Sequence, residues 1–133
     1  MIGPAHHIGV AVRSLEDAVA SYQKFDLQTE TIEDVPSQGV RVAFLRTGGV
    51  RLELLQSLRS DGVIARFIER QGEGIHHLAF ETKDIRAEMR RLRTAGLDLV
   101  DAEPRPGARG RLVAFLHPRS THGVLLELVE EPR

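Results

Sequence analysis

The sequence predicts an α+β protein in which two tandem β-α-β-β-β modules form a cupped mixed sheet around a cleft. The first observation is that His7-Ile-Gly-Val-Ala-Val returns as His77-Leu-Ala-Phe-Glu-Thr. The second is that Gly49-Val-Arg-Leu-Glu53 returns as Gly123-Val-Leu-Leu-Glu127. The third is that strand-like and helix-like periodicities follow one another in the same order in both halves. Repeats of this size indicate a duplicated supersecondary unit.

The first module is predicted to contain one helix among four strands. Residues 5–12 alternate in polarity and are rich in valine and isoleucine, which is typical of a strand. Ser14 is the predicted N-cap of a helix, because Leu15 and the apolar residues after it recur at helical spacing. Pro36 and Gly39 supply one turn, and Gly48-Gly49 supplies another. The three remaining strands are predicted near 28–35, 40–46 and 50–56.

The second module repeats this order of elements. A strand is predicted at 75–82, and Asp84 is the predicted N-cap of the following helix. Gly96 is expected to end that helix, since glycine often follows the last helical residue. The apolar residues of the helix are Ile85, Met89 and Leu92, and the later strands are predicted near 97–102, 111–117 and 122–130.

A short helix around 61–71 is predicted to join the two repeats. Its apolar residues are expected to face the core, and Gly72 is expected to end it. The residues concerned are Val63, Ile64, Phe67 and Ile68. The repeats then span about 1–58 and 74–133, and together they are predicted to form a single domain over 1–133.

Composition and charge exclude several classes of function. The net charge is −1, with 18 basic and 19 acidic residues, so no overall field favours nucleic acid or an anionic membrane. The chain has no long apolar run and no signal peptide, and a cytoplasmic location is expected. Because there are no cysteines, thiolate nucleophiles and disulfides are excluded, and any metal must be held by histidine and carboxylate.

Four residues at equivalent places in the two repeats outline a metal site: His7, Glu53, His77 and Glu127. Each glutamate lies mid-strand between leucines or other apolar residues, where a carboxylate needs a partner. A divalent cation or a surface arginine would serve, and a purely structural role for the four residues remains open. Imidazole and carboxylate ligands suit Co²⁺, Ni²⁺, Mn²⁺, Fe²⁺ or Zn²⁺ with open coordination positions. Such an ion can polarise a carbonyl and stabilise an enolate.

The remaining histidines and a basic cluster are secondary candidates. His6 and His76 precede the candidate ligands and point the other way on an alternating strand, which favours a structural role. His117 ends a strand, where it would contact substrate or pack, and His122 lies in a turn. Arginines and glycines in one loop can bind phosphate. The arginines of this cluster are Arg105, Arg109, Arg111 and Arg119.

Several motifs resemble those of methylmalonyl-CoA epimerases, within the vicinal oxygen chelate, or glyoxalase-like, superfamily. In the first half they are His7-Ile-Gly-Val-Ala-Val, Gln38-Gly-Val-Arg-Val-Ala-Phe-Leu45 and Leu52-Glu-Leu-Leu55. In the second half they are Gly72-Glu-Gly-Ile-His-His-Leu-Ala-Phe80 and His117-Pro-Arg-Ser-Thr-His-Gly-Val-Leu-Leu-Glu-Leu-Val129. The resemblance covers essentially the whole chain, and the superfamily's paired modules match the predicted architecture.

The resemblance implies an isomerase that interconverts the 2R and 2S epimers of methylmalonyl-CoA in propionate metabolism. It implies metal ligands at His7, His77 and Glu127, with Glu53 at a fourth place that is glutamine in some relatives. Cobalt is the expected ion, with manganese, nickel or zinc as alternatives. The α-proton would be removed and returned through a metal-stabilised enolate. A homodimer and an acyl-CoA substrate are also implied, with Gln38, Arg109, Arg111, His117 and Ser120 as candidate substrate contacts.

Inversion of the substrate's α-carbon requires two acid/base groups, one on each face. Glu127 is the candidate for the first group. Relatives can place a glutamate in the strand after Gln-Gly-Val, but Val42 stands at that position here. Glu73, Gln38 acting through water, or a metal-bound water therefore remain alternatives for the second group.

Other functions fit the same fold and lead to different expectations. A glyoxalase I-like isomerase would turn over a hemithioacetal, and an extradiol dioxygenase would consume oxygen with a catechol. A drug-binding resistance module of the bleomycin type would need no metal ligands and would use aromatic side chains for stacking. With five phenylalanines, one tyrosine and no tryptophan, the chain offers few stacking platforms.

Overall fold

A computed structural model describes residues 1–133, which form two compact units. The first unit comprises residues 7–76, and the second comprises residues 1–6 together with 77–133. The chain therefore passes from one unit to the other between His6 and His7 and again between His76 and His77. None of the helices has the length and apolar character needed to cross a bilayer. The single-domain organisation stays a prediction.

The first unit contains a four-stranded mixed sheet and two helices. The sheet order is β2-β3-β4-β1, with β4 antiparallel to β3 and parallel to β1. Strands β1 and β4 pair directly in the sheet. The glutamate in the middle of β4 and the histidine in β1 therefore lie on neighbouring strands. The elements are β1 (Ala5–Ala11, which begins in the second unit), α1 (Leu15–Gln23), β2 (Thr29–Val35), β3 (Val40–Leu45), β4 (Arg51–Ser57) and α2 (Val63–Gln71).

Helix α1 forms where the sequence predicts it and covers one face of this sheet. The Ser14 hydroxyl accepts a hydrogen bond from the Asp17 backbone N–H, so one of the unpaired donors of the first turn is satisfied. Leu15, Val10 and Leu54 belong to the apolar cluster beneath the helix. Since side chains alternate along a strand, Glu53 projects to the opposite face from Leu54.

Helix α2 follows Gly62 and ends at Gly72, as predicted. Ile64 is buried, with 2% of its surface exposed. The expectation that Val63 faces the core is wrong, because 59% of Val63 is exposed. Val63 is the first helical residue, about 100° around the axis from Ile64, and so it lies beside the buried stripe.

The second unit repeats the arrangement around its own four-stranded sheet. The order is β5-β8-β7-β6, with β5 parallel to β8 and the other neighbours antiparallel. Residues 1–6 join this unit: Gly3 N–H donates to the Glu81 carbonyl at 2.7 Å, and Glu81 N–H donates to the Pro4 carbonyl at 3.0 Å. The elements are β5 (Gly74–Glu81, which begins in the first unit), α3 (Ile85–Thr94), β6 (Arg105–Pro106), β7 (Leu112–Leu116) and β8 (Leu126–Glu130).

The strand predicted near 97–102 is wrong. This segment makes only an isolated bridge between Leu99 and Leu116. The Asp101 carboxylate accepts a hydrogen bond from Phe115 N–H at 2.8 Å. The Asp101 side chain thus takes the place of the backbone carbonyl with which Phe115 N–H would pair in a regular ladder. A short edge strand forms instead at Arg105–Pro106, where proline lacks the N–H that a central strand would need.

The last strand begins later than predicted, at Leu126 instead of near residue 122. The preceding residues form a turn in which His122 and Gly123 have φ of 57° and 91°. The Thr121 hydroxyl hydrogen bonds to the Val124 carbonyl across this turn. Left-handed backbone does not continue a strand, which explains the delay.

Helix α3 holds a buried carboxylate on its inner face. Glu88 is only 2% exposed, and its carboxylate pairs with the Arg91 guanidinium one turn later and with the N-terminal ammonium at 2.7 Å. The hydrogen bond from Arg91 outweighs the effect of burial and holds the pKa of Glu88 below its ordinary value. Glu88 is therefore ionised at neutral pH with its charge balanced.

Removal of the α3 N-cap should lower stability measurably. The Asp84 carboxylate accepts from Ala87 N–H at 3.1 Å, so Asp84→Ala leaves that donor without its side-chain partner. We expect Asp84→Ala to lower the free energy of unfolding by about 1 kcal/mol in urea denaturation. Ser21→Ala, at an exposed position inside α1, is the control and should change it by less than about 0.5 kcal/mol. Equal effects of the two substitutions would contradict the capping role.

Candidate functional site

The first unit places one of the predicted histidine–glutamate pairs together. His7, in β1, and Glu53, in the middle of β4, are 3% and 4% exposed. His7 Nδ1 lies 3.4 Å from a Glu53 carboxylate oxygen. The register brings this about, since β1 pairs Gly9 with Glu53, and Gly9 is two residues beyond His7 on the same face.

The second unit places the equivalent pair together in the same way. His77, in β5, and Glu127, in β8, are 6% and 3% exposed. His77 Nε2 lies 3.4 Å from a Glu127 carboxylate oxygen. The Phe115 ring meets the His77 ring edge to face, with 5.6 Å between their centroids. This contact limits how the imidazole can rotate.

The two pairs share a pattern of neighbours as well as a sequence repeat. Glu53 has Gly9 beside it on the parallel strand and Phe44 on the antiparallel strand. Glu127 has Ala79 and Phe115 in the corresponding places. In both units a small residue and a phenylalanine thus flank the carboxylate. The conserved register shows that the duplication preserved the surroundings of these four residues, including their burial.

The chemistry of this donor set fits a divalent cation. A buried carboxylate is costly unless its charge is balanced, and each glutamate here has a histidine nitrogen 3.4 Å away, which can bind a metal when neutral. Arg51, a candidate counter-charge for Glu53, pairs instead with Glu30 at 3.3 Å. Imidazole and carboxylate, which each of the two pairs supplies, are ligands that first-row divalent ions accept.

The outer histidines are held by other groups. His6 Nε2 donates to a Glu131 carboxylate oxygen at 3.0 Å, within the second unit. The His76 ring meets Phe67 edge to face at 5.0 Å, within the first unit. Each of the two candidate ligand histidines thus follows directly after a histidine that has a partner of its own.

Glu131 also binds Arg111, and the two interactions control its charge. Arg111 Nε donates to the second Glu131 oxygen at 3.0 Å, and Arg111 is 2% exposed. Burial raises the pKa of the Glu131 carboxyl, but the hydrogen bond from His6 and the positive charge of Arg111 outweigh burial and hold that pKa below its ordinary value. Sequence reasoning missed Glu131, because its partners lie 20 and 125 residues away along the chain.

The candidate substrate contacts occupy turns. Gln38 lies in the 3₁₀ turn Pro36–Gln38 after β2, and Arg109 has a left-handed backbone, with φ of 56°, between β6 and β7. His117 Nδ1 accepts from Arg119 N–H at 3.1 Å, and the Ser120 hydroxyl accepts from Asp98 N–H at 2.8 Å. His117 and Ser120 therefore stabilise the turn after β7, and both side chains are partly exposed to solvent.

The guanidinium groups of the basic cluster meet carboxylates. Arg105 pairs with Asp101 at 2.8 Å, and Arg119 pairs with Asp98 at 2.7 Å. Arg111 pairs with Glu131 at 3.0 Å. Only the Arg105–Asp101 pair, four residues apart, could have been suspected from spacing.

Val42 brings no acid/base chemistry to the strand where some relatives place a glutamate. It is 2% exposed and pairs with Leu55 on β4 and Glu33 on β2. Glu73, an alternative, accepts from Arg13 N–H at 2.8 Å and has a half-exposed side chain. It is thus accessible to solvent and held by its backbone partner.

The architecture defines the class to which the chain belongs. The family model of the Glyoxalase/Bleomycin resistance protein/Dioxygenase superfamily matches residues 6–115. That span includes helices α1 and α3, one from each repeat. It also includes three of the four candidate ligands, namely His7, Glu53 and His77. The predicted fold class, with its repeated β-α-β-β-β modules, is confirmed.

The relatives narrow the class to one family. The ethylmalonyl-CoA/methylmalonyl-CoA epimerase of Cereibacter sphaeroides is 39% identical, over 96% of this chain and 98% of the relative. The mitochondrial methylmalonyl-CoA epimerase of Homo sapiens is 35% identical, over 96% of this chain and 73% of the relative. The structure of a Streptomyces coelicolor methylmalonyl-CoA epimerase variant in complex with 2-nitronate-propionyl-CoA is similar, with a TM-score of 0.95 and 35% identity over 100% of both chains. The chain belongs to the methylmalonyl-CoA epimerase family, and the predicted resemblance is confirmed.

Proposed function

We propose that this protein is an isomerase that interconverts (2R)- and (2S)-methylmalonyl-CoA. The observation that carries the proposal is the pair of buried histidine–glutamate contacts at equivalent registers, in a chain related throughout to epimerases of this substrate. A structure of one relative is described as a complex with methylmalonyl-CoA. The substrate's α-carbon lies between two carbonyl groups, which acidify its proton and favour exchange.

The same proposal assigns His7, Glu53, His77 and Glu127 as the ligands of one divalent ion. The support is their burial, the shared pattern of neighbours and the absence of cysteine from the chain. Cobalt is the proposed ion, and manganese, nickel and zinc accept the same donors. Once bound, a divalent ion supplies positive charge to carbonyl oxygens as negative charge develops on them.

Glu127 is the proposed acid/base group on one face of the α-carbon. Its carboxylate takes the proton at an oxygen and returns it in the reverse direction. Leu126 and Leu128 flank it on β8, and its burial excludes bulk water from the transferred proton. For the opposite face Val42 offers no proton acceptor, and Glu73 or Gln38 acting through water are the proposed alternatives.

The acyl-CoA substrate also carries phosphate groups that basic side chains can contact. Arg109 and Arg111, between β6 and β7, are the proposed phosphate contacts, and Arg111 also pairs with Glu131. Gln38, His117 and Ser120 are proposed as further contacts to the substrate. A homodimer in the cytoplasm, acting in propionate metabolism, completes the proposal.

Proton NMR of methylmalonyl-CoA in deuterium oxide tests the proposal. We expect the protein loaded with Co²⁺ to remove the α-proton signal far faster than background exchange, and a chelator to abolish the acceleration. The glyoxalase alternative is tested in parallel with the hemithioacetal of methylglyoxal and glutathione. Turnover of the hemithioacetal without acceleration of α-proton exchange would contradict the epimerase assignment.

A further inference from the structure

A partly buried chain of charged groups joins two segments of the second unit beside the proposed ligands. It runs from Arg111 through Glu131 to His6, with 3.0 Å between the bonded atoms at each step. The side chains of Arg111 and His6 are 2% and 8% exposed, and that of Glu131 is 38% exposed. Both Glu131 oxygens are used, one for each neighbour, so the carboxylate is fixed in position as well as in charge.

The ends of this chain lie next to ligand-bearing strands. His6 is bonded through the backbone to His7, the proposed ligand of β1. Glu131 follows directly after β8, the strand that carries Glu127. The His6–Glu131 hydrogen bond therefore links, within the second unit, the backbone that carries Glu127 to the last residue before His7.

We infer that Glu131 is a positioning residue, which acts through His6 to hold His7 in the place where it binds the metal ion. The inference rests on the proposed function, since it needs the four-ligand site assigned there. His6 and His7 share one peptide bond, so the placement of His6 restricts the backbone torsions that direct the His7 side chain. A small displacement of a ligand weakens a metal site strongly, and groups behind the ligands are worth 10–100-fold in affinity.

Arg111 supports this role from the other side of the carboxylate. Its guanidinium holds the oxygen that His6 does not use and favours the ionised form of Glu131. An ionised carboxylate only accepts hydrogen bonds, so His6 Nε2 is the donor in this contact.

The equivalent histidine of the other repeat has an aromatic neighbour. His76, which precedes His77, meets the aromatic ring of Phe67. Glu131 therefore acts on one of the two ligand histidines. A positioning role differs from a general contribution to stability, because loss of Glu131 should affect metal affinity more than the loss of a neighbouring structural carboxylate.

Titration with Co²⁺, followed by calorimetry and by the visible absorption of the bound ion, tests the inference. We expect Glu131→Ala to raise the Kd for Co²⁺ by 10–100-fold and to change the Co²⁺ spectrum. Glu131→Gln, whose amide oxygen still accepts from His6, should restore part of the affinity. Glu130→Ala is the matched control, since the adjacent Glu130 carboxylate accepts from Ile85 N–H at 2.9 Å and caps α3. This control should lower Tm and leave the Kd within about twofold of the wild-type value.

Three results would overturn the inference in distinguishable ways. If the wild-type protein binds Co²⁺ and Glu131→Ala binds it equally well, Glu131 has no positioning role, whatever happens to Tm. If Glu130→Ala weakens Co²⁺ binding as much as Glu131→Ala does, the effect is one of stability. A wild-type protein that does not bind Co²⁺ would remove the proposed metal site, and the inference with it.

Discussion

Replacement of Glu127 by glutamine is expected to lower the rate of α-proton exchange by about 10³-fold. The amide has nearly the same shape as the carboxylate and can still offer an oxygen, but it cannot accept the proton. General acid/base groups typically contribute 10²–10⁴-fold to rate. Exchange in deuterium oxide with saturating methylmalonyl-CoA and Co²⁺ gives kcat directly, and the Kd for Co²⁺ measured in parallel separates lost chemistry from lost metal.

Glu53→Gln is the matched control for this substitution. Glu53 has the same strand position, burial and flanking residues in the other repeat. Because glutamine stands at this place in some relatives, we expect Glu53→Gln to retain most of the activity once metal is supplied in excess. Equal losses of exchange rate in the two variants would show that the carboxylates serve only as ligands. Retained α-proton exchange in Glu127→Gln would show that Glu127 is not the base.

Loss of either ligand histidine should abolish the stabilisation that a bound metal gives. A ligand that binds only the folded state at 100 times its Kd raises the free energy of unfolding by about 2.7 kcal/mol. We expect Co²⁺ to raise the Tm of the chelator-treated wild-type protein, and His7→Ala and His77→Ala to show almost no increase at the same Co²⁺ concentration. Each variant removes one of the four donors of the proposed site, and each of these histidines lies 3.4 Å from a glutamate oxygen.

The control for the histidine variants is His122→Asn. His122 is exposed in the turn before β8 with φ of 57°, a conformation that asparagine tolerates. It should keep the full increase in Tm with Co²⁺. If His7→Ala keeps the increase while His77→Ala loses it, the metal is held by the second unit alone and the four-ligand assignment is wrong.

Local patterns were sufficient to predict most of the secondary structure. Ser14 and Asp84 cap helices α1 and α3 as predicted, because capping depends on residues within one turn. The strand predicted near 97–102 failed because the Asp101 side chain takes a backbone donor of β7. Nothing in the sequence around residue 101 indicates that competition, since its partner Phe115 is 14 residues away.

The sequence located the histidine–glutamate pairs through the repeat and missed the groups that support them. His7 and Glu53 could be paired because the equivalent residues recur in the second half. The Arg111–Glu131–His6 chain joins residues far apart in sequence. Periodicity and repetition therefore predict the ligands, whereas ion pairs between distant segments require the structure.

The structural units do not coincide with the repeats of the sequence, so cleavage of the chain between the repeats would not separate one complete unit from the other. Residues 1–6 complete the unit that is otherwise formed by 77–133, where they hydrogen bond with Glu81. Cleavage between His76 and His77 would leave the C-terminal piece without a strand segment and the N-terminal piece with a segment lacking its partner. The C-terminal repeat thus lacks residues of its own unit. We expect the two pieces to reassociate, because residues 1–6 of one hydrogen bond with Glu81 of the other.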